Sequence, residues 1–217
     1  MKGGAVIKYS PFTVIMSENI ISFSSADFKD VGCDKKQTMR FLGCKGDEIN
    51  PELEALYEEC LELVCKEAFF KAVWRKTKVE LVGEDTVQFD FGKIKSASLC
   101  KNLEGCKSAY VFAATAGMGI DRLLLRCRHT DTVKAAVLSC VGSSCIECWC
   151  DKINFELIGE KKLKPRFSPG YGGVELRHQK EILEYLDAYK KLGISLTDTF
   201  FMTPVKSVTA FIGIEEE

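Results

Sequence analysis

LTDTFFMTPVKSVTAFIGI, residues 196–214, is the stretch on which the fold turns. Residues 205–214 alternate apolar and small or polar side chains, the period of a β-strand, and the acidic residues 215–217 form a solvated end. Immediately upstream, residues 178–192 return to helical periodicity through Ile182, Leu186 and Tyr189, with Gly193 placed to cap the helix. Before that helix, residues 159–173 are rich in Lys, Pro and Gly and read as loop, ending in KPRFSPGYGG at 164–173.

Moving outward, residues 106–114 (CKSAYVFAA) are apolar without alternation and predict a central strand, ending at Thr115-Ala116-Gly117. Helices are expected over 119–126 and from Asp131 to about Asn154. A further helix starts at Asn50 as N-cap with Pro51 in the first turn. There the Asn side chain accepts orphan amides and Pro has none to leave orphaned. Its apolar positions Leu53, Leu56, Tyr57, Cys60, Leu61 and Val64 recur at helical spacing, and the periodicity carries it to about Val73. Strands are predicted over 77–82 and 86–91, and a short helix over 93–101. In residues 1–48 the pattern is weak: short strands near 5–7, 14–16 and 20–23, then a loop over 39–48. Strands and helices mix without strict alternation, which predicts an α+β fold. We read residues 1–217 as one domain, without internal repeats.

Composition bounds the function. At 46% hydrophobic and 28% charged, with 30 basic and 31 acidic side chains, the chain is built to fold and has no charge excess for nucleic acid. The longest apolar candidate, residues 109–120, is broken by Gly117 and Gly119, and the start MKGGAVIKYS lacks a signal-peptide core. A cytoplasmic protein with no membrane partner is expected. Eleven cysteines are unusual, and outside a secretory context they read as free thiols filling small buried positions. Four of them, Cys140, Cys145, Cys148 and Cys150, fall in one helix with a C-x4-C-x2-C run. At about 100° per residue the first three share an arc of roughly 140° while Cys150 points away, which favours packing over a shared metal. A thiol-redox or iron–sulfur site remains the alternative reading. His129 and His178 lie beside Arg in charged contexts, and no nucleophile–base pair, P-loop or dinucleotide glycine pattern occurs.

The loop at 164–173 carries the one constellation suited to a ligand. Pro165 and Pro169 fix its shape, its glycines allow close backbone approach, and Arg166 offers a fork for a carboxylate. Taken alone it is a turn with a surface arginine. Taken in order, the R-x-S-P-G-Y-G loop, the helix, and the P-x-K-S-V-x-A-x-I-G ending resemble the S-adenosylmethionine-binding activation domain of cobalamin-dependent methionine synthase. The resemblance is firmest over residues 110–214, where it includes the TAG turn with Asp121 and the small-residue helix carrying Glu147. It is closest to stand-alone proteins that hold only this domain.

The resemblance implies a twisted antiparallel sheet flanked by helices, with S-adenosylmethionine in a shallow groove. By matched position, Arg166 would grip the ligand carboxylate and the backbone around Gly170 and Tyr171 would line the adenosine. Glu147 and Glu160 would face its positive charges. Phe167 stands where the family usually has Pro, and Gly173 where an acid is common. The family's N-terminal aspartate has no clear counterpart among Asp27, Asp30 and Asp34. The implied role is reductive remethylation of cob(II)alamin carried by a partner, a methionine synthase or other corrinoid protein. A flavodoxin-type donor would supply the electron, and no side chain need act as acid or base. A docking module that has lost S-adenosylmethionine binding is the rival within the same fold.

Overall fold

The computed structural model describes residues 5–9, 12–17, 20–24, 28–44, 50–158 and 162–215, with side chains from Phe28 onward apart from Lys29 and residues 155–158. Three strands come first, β1 (Ala5–Tyr9), β2 (Phe12–Ser17) and β3 (Ile20–Ser24). Helices α1 (Phe28–Val31), α2 (Lys35–Phe41) and α3 (Pro51–Glu67) precede strand β4 (Lys71–Lys78). A small meander follows, β5 (Glu80–Val82), β6 (Thr86–Phe89) and β7 (Gly92–Lys95). Helix α4 (Ala97–Asn102) leads into the long strand β8 (Cys106–Thr115), then helices α5 (Met118–Cys127) and α6 (Thr132–Ile158). The chain closes with α7 (His178–Tyr185), α8 (Ala188–Leu192), the two-residue strands β9 (Ser195–Leu196) and β10 (Met202–Thr203), and β11 (Ser207–Glu215).

Six strands form one antiparallel sheet in the order β1-β2-β3-β4-β8-β11. Over β4, β8 and β11 both faces are covered, and the pleat sorts the side chains between two cores. Trp74, Phe112, Ala114, Ala210 and Ile212 face α3, α5 and α6, where they meet Val64, Ile120, Val141 and Trp149. Val73, Val111, Ala113 and Phe211 face the meander, α4, α7 and α8, where they meet Phe89, Leu99, Ile182 and Leu192. A strand buried on both sides has no polar face, which is why β8 is apolar without alternation. The α+β architecture with a central antiparallel sheet is as expected.

Several local readings need correction, and the same two-sided burial explains most of them. Helix α3 stops at Glu67 and Ala68 is already extended. The apolar run beyond it, FFKAVW, leads into β4, which begins at Lys71, and its hydrophobicity mimics a continuing helix face. The helix predicted over 93–101 is strand β7 followed by α4, with Ser96 as N-cap accepting from the Leu99 amide at 3.0 Å. The loop predicted over 39–48 overlaps α2, which Asp34 caps by accepting from the Gln37 amide at 3.1 Å. The helix over 178–192 is two helices, divided at Asp187 with φ +53. Asn50 caps α3 as expected, accepting from the Glu52 amide at 2.8 Å, and Gly193 ends α8 at φ +71.

Helix α6 is the central element. Its stretch Thr132–Asn154 has mean hydropathy 1.3 over 23 residues, long and apolar enough by composition to cross a membrane, which the sequence reading passed over. Half of it is buried inside the protein, against α3, α5, α2 and the sheet. Its polar residues concentrate on one ridge at four-residue spacing, Ser139, Ser143, Glu147 and Asp151. Lys206, just before β11, lays its ammonium on the first two, donating to both hydroxyls at 2.9 Å. Burial pulls the Lys206 pKa below its ordinary value. Ser144 ties α2 to the same helix, accepting from the Asp34 amide at 3.0 Å and donating to its carbonyl at 2.9 Å.

The cysteines of α6 do not share one environment. Cys145 and Cys150 are buried, whereas Cys140 and Cys148 are half-buried. Among the described residues no group of three or more His, Cys, Asp or Glu is arranged to hold a metal ion. Cys145 instead donates to Cys33, a hydrogen bond that pulls Cys33 down to about 6 despite the opposing effect of burial. Thr38, Ser144 and Tyr57 add to that pull, and the same contact together with burial pushes Cys145 up.

Two predictions follow from this packing. A Cβ at Gly119 would lie 1.8 Å from the Glu67 carbonyl oxygen, whereas at Gly142 it would meet only side-chain carbons, the nearest at 3.2 Å. Gly119→Ala is therefore expected to lower stability by about 2–3 kcal/mol in urea unfolding, and Gly142→Ala by clearly less. Alkylation by iodoacetamide should modify Cys33 with a rate that climbs through pH 6 and levels off by about pH 7.5. Cys145→Ala should move that inflection upward, because the thiolate loses its strongest donor. Cys60, which burial pushes up to about 11, should stay unlabelled across the same range.

Candidate ligand-binding site

The site begins with the edge of β11. One side of this strand pairs with β8, and the other is covered by the chain at 162–168 rather than by a named strand. The Lys164 amide donates to the Gly213 carbonyl at 2.9 Å and the Glu215 amide to the Lys162 carbonyl at 3.0 Å. Phe167 and Phe211 exchange backbone bonds at 3.0 and 2.8 Å, an antiparallel bridge. Gly213 is needed for this approach, since a Cβ there would lie 2.9 Å from the Lys164 side chain and 2.7 Å from the Cys106 sulfur.

Pairing fixes which way the side chains point. Phe167 packs into the core on the meander side, so its neighbour Arg166 is directed to the opposite face, onto α6. There Glu147 and Asp151, one helical turn apart, present two carboxylates. Arg166 Nη2 donates to Glu147 Oε2 at 2.6 Å, a charge-assisted hydrogen bond. Nη1 lies 2.7 Å from Asp151 Oδ1, within ion-pair range. The angle there does not make a hydrogen bond, and Nη1 is a buried donor without an acceptor.

A groove of about 440 Å³ opens beside this cation, lined by Glu147, Arg166, Phe167, Ser168, Tyr171 and Val208. Its volume is within the range of about 300–1,000 Å³ usual for small-molecule sites. Tyr171 is 73% exposed and stands as an aromatic wall. The turn that carries it is tightly built. Ser96 Oγ donates to the Gly172 carbonyl at 2.6 Å, and a Cβ at Gly172 would sit 2.5 Å from Phe167 and 2.8 Å from Ser98. Gly170, at φ +94, donates its amide to the Val174 carbonyl at 2.7 Å, and the Tyr171 amide donates to Ser168 at 3.3 Å. Both amides are engaged within the turn, and the groove is lined by Tyr171 and not by Gly170.

The structure therefore brings Arg166, Glu147 and Tyr171 to one groove and puts Gly170 in the turn that supports it. Glu160 lies outside the described residues, as does Asp27. Asp34 uses its carboxylate to cap α2. Asp121 holds the Val205 amide with both oxygens, at 3.2 and 3.0 Å, and so fixes the turn into β11; burial pushes its pKa up. Asp151 was not singled out from the sequence. The signal for its role was the E-x3-D spacing on a helix, legible only once Arg166 is known to lie over it. A second hollow of about 300 Å³ lies between Phe69, Met118 and Pro204, and its Arg122 is paired with Glu67 at 3.4 Å. It contains none of the loop residues.

Comparison with known proteins places these observations. No curated protein sequence matches the chain. Residues 150–217 match the family described as vitamin B12 dependent methionine synthase, activation domain. A crystal structure of the MetH reactivation domain bound to AdoHcy is similar in fold, with a TM-score of 0.68 at 17% identity, covering 93% of this chain and 80% of that one. By sequence over its last third the chain matches the activation domain of vitamin B12-dependent methionine synthase, and over nearly all its length it shares the fold of the MetH reactivation domain.

Proposed function

We propose that the protein binds S-adenosylmethionine in the groove beside Arg166 and serves the reductive remethylation of cob(II)alamin held by a separate corrinoid partner. The observation that carries this reading is the Arg166 guanidinium, held between Glu147 and Asp151 at the wall of a groove of ligand size. The family match over residues 150–217 and the AdoHcy-bound fold relative support it, since AdoHcy is what remains of S-adenosylmethionine after its methyl group has left.

The donor set fits the ligand. An amino-acid carboxylate suits the guanidinium, and the ammonium and sulfonium charges suit the Glu147 carboxylate. Tyr171 offers an apolar face of the kind on which an adenine ring stacks. Bound there, S-adenosylmethionine supplies an electrophilic methyl group, while a flavodoxin-type donor supplies the single electron that the partner's cobalt requires. The chain's own residues then bind and orient. Arg166 and Glu147 hold the amino-acid end, and Phe167 and Val208 exclude water from the floor. No described side chain need exchange a proton, because the leaving group is a neutral thioether. Acceleration comes from presenting the methyl group at a fixed place over the partner. A reducing, cytoplasmic setting is part of this proposal, since it would keep the eleven cysteines as thiols.

Isothermal calorimetry with S-adenosylmethionine tests the site. Arg166→Ala is expected to weaken binding at least tenfold, as loss of a charge-assisted contact worth about 1.5–3 kcal/mol requires. Equal binding by the variant would remove Arg166 from the site. Absence of binding by the unmodified protein at saturating ligand would instead favour a docking module that has lost the ligand.

A further inference from the structure

Arg166 is held by two carboxylates of unequal quality, and the difference bears on how a ligand gains access to it. Toward Glu147 the contact is a hydrogen bond of 2.6 Å between side chains that are 20% and 33% exposed. Toward Asp151 it is a close approach of 2.7 Å that lacks hydrogen-bond geometry, and Asp151 is 69% exposed. Yet Nη1 itself is buried. With Asp151 directly against it, an incoming acceptor must move that carboxylate aside.

We infer that Asp151 is a resident rival for the ligand's carboxylate: it flanks Arg166 in the free protein, must be displaced for the ligand to reach Nη1, and so sets the affinity of the site. This rests on the reading of the groove as an S-adenosylmethionine site, and it adds a residue that the loop motif does not contain. The exchange is physically balanced. Asp151 gives up an imperfect contact of the exposed kind, which contributes little, and returns to water on a short side chain at the helix rim. The ligand carboxylate gains a donor that makes no aligned hydrogen bond in the free protein. Glu147, better aligned and less exposed, keeps Nη2 and prevents the guanidinium from swinging away. The groove is thus selective for ligands with a free carboxylate, because only those compensate the displaced aspartate.

The test compares the unmodified protein, Asp151→Asn, Asp151→Ala and Arg166→Ala by calorimetry with two ligands, S-adenosylmethionine and its decarboxylated analogue. Thermal unfolding of each variant confirms that it is folded. Both Asp151 variants should bind S-adenosylmethionine about threefold to tenfold more tightly, the range expected for releasing an exposed ion pair. The decarboxylated analogue, which cannot use Arg166, should bind them no better than it binds the unmodified protein. General electrostatics predicts the opposite sign, since both ligands are net cations and the variants each lose a negative charge. Unchanged or weaker S-adenosylmethionine binding by both Asp151 variants, with Arg166→Ala still defective, would overturn the rival role and leave the site intact. So would an equal gain for both ligands. If neither ligand binds any of the four proteins, the reading of the groove falls and this inference with it.

Discussion

The antiparallel bridge between Phe167 and Phe211 is the contact on which the site depends. It closes the open edge of β11 with chain that has no regular structure of its own, satisfying backbone groups that would otherwise be exposed to other strands. Because a pleated chain sends neighbouring side chains to opposite faces, the bridge also decides where Arg166 goes. With Phe167 bridged to Phe211 and packed against the meander-side core, a guanidinium one residue earlier has to emerge over α6. A slip of one residue would bury the cation in the apolar core and turn the phenyl ring toward Glu147. Edge protection and the placement of Arg166 are thus one set of hydrogen bonds.

Helix α6 answers that geometry from the other side. It is apolar over most of its surface because it is surrounded by three helices and a sheet. Four of its polar residues form the ridge where two cations from the C-terminal part of the chain cross it. Lys206 lies on Ser139 and Ser143, and Arg166 on Glu147 and Asp151. The first crossing is between a charge and neutral hydroxyls and is structural in character. The second is between a charge and carboxylates, one well aligned and one not. Val208 lies between them at the floor of the groove, on the same strand face as Ala210 and Ile212.

Much of this was legible before any coordinates. Asn50-Pro51, Gly193 and the alternation from Val205 announce their elements through local stereochemistry that tertiary context does not override. The loop motif drew attention to Arg166 and Tyr171 because proline and glycine at fixed offsets constrain a backbone in only a few ways. What could not be read were features that depend on partners distant in sequence. The run after Glu67 looks helical unless one knows that it is covered on both faces, and the partition of 93–101 into strand and helix depends on Ile94 pairing with Val87. Asp151 is an ordinary surface acid until an arginine fifteen positions away is laid over it by backbone pairing. Gly170 shows the reverse case, a motif residue whose place is in the turn's own hydrogen bonding.

The apolar character of α6 has a consequence for how the chain must be made. During synthesis the helix emerges after α3, β4, β8 and α5, which can cover most of its sides at once. The side that meets Val208, Ala210 and Ile212 has to wait for β11, nearly fifty residues later. For that interval the nascent chain presents a long greasy strip with the ridge of serines and acids along it. Those polar positions keep the strip from being uniformly apolar at the very place where its cover arrives last, so the residues that will receive Arg166 and Lys206 also serve as the helix's wetted side until then.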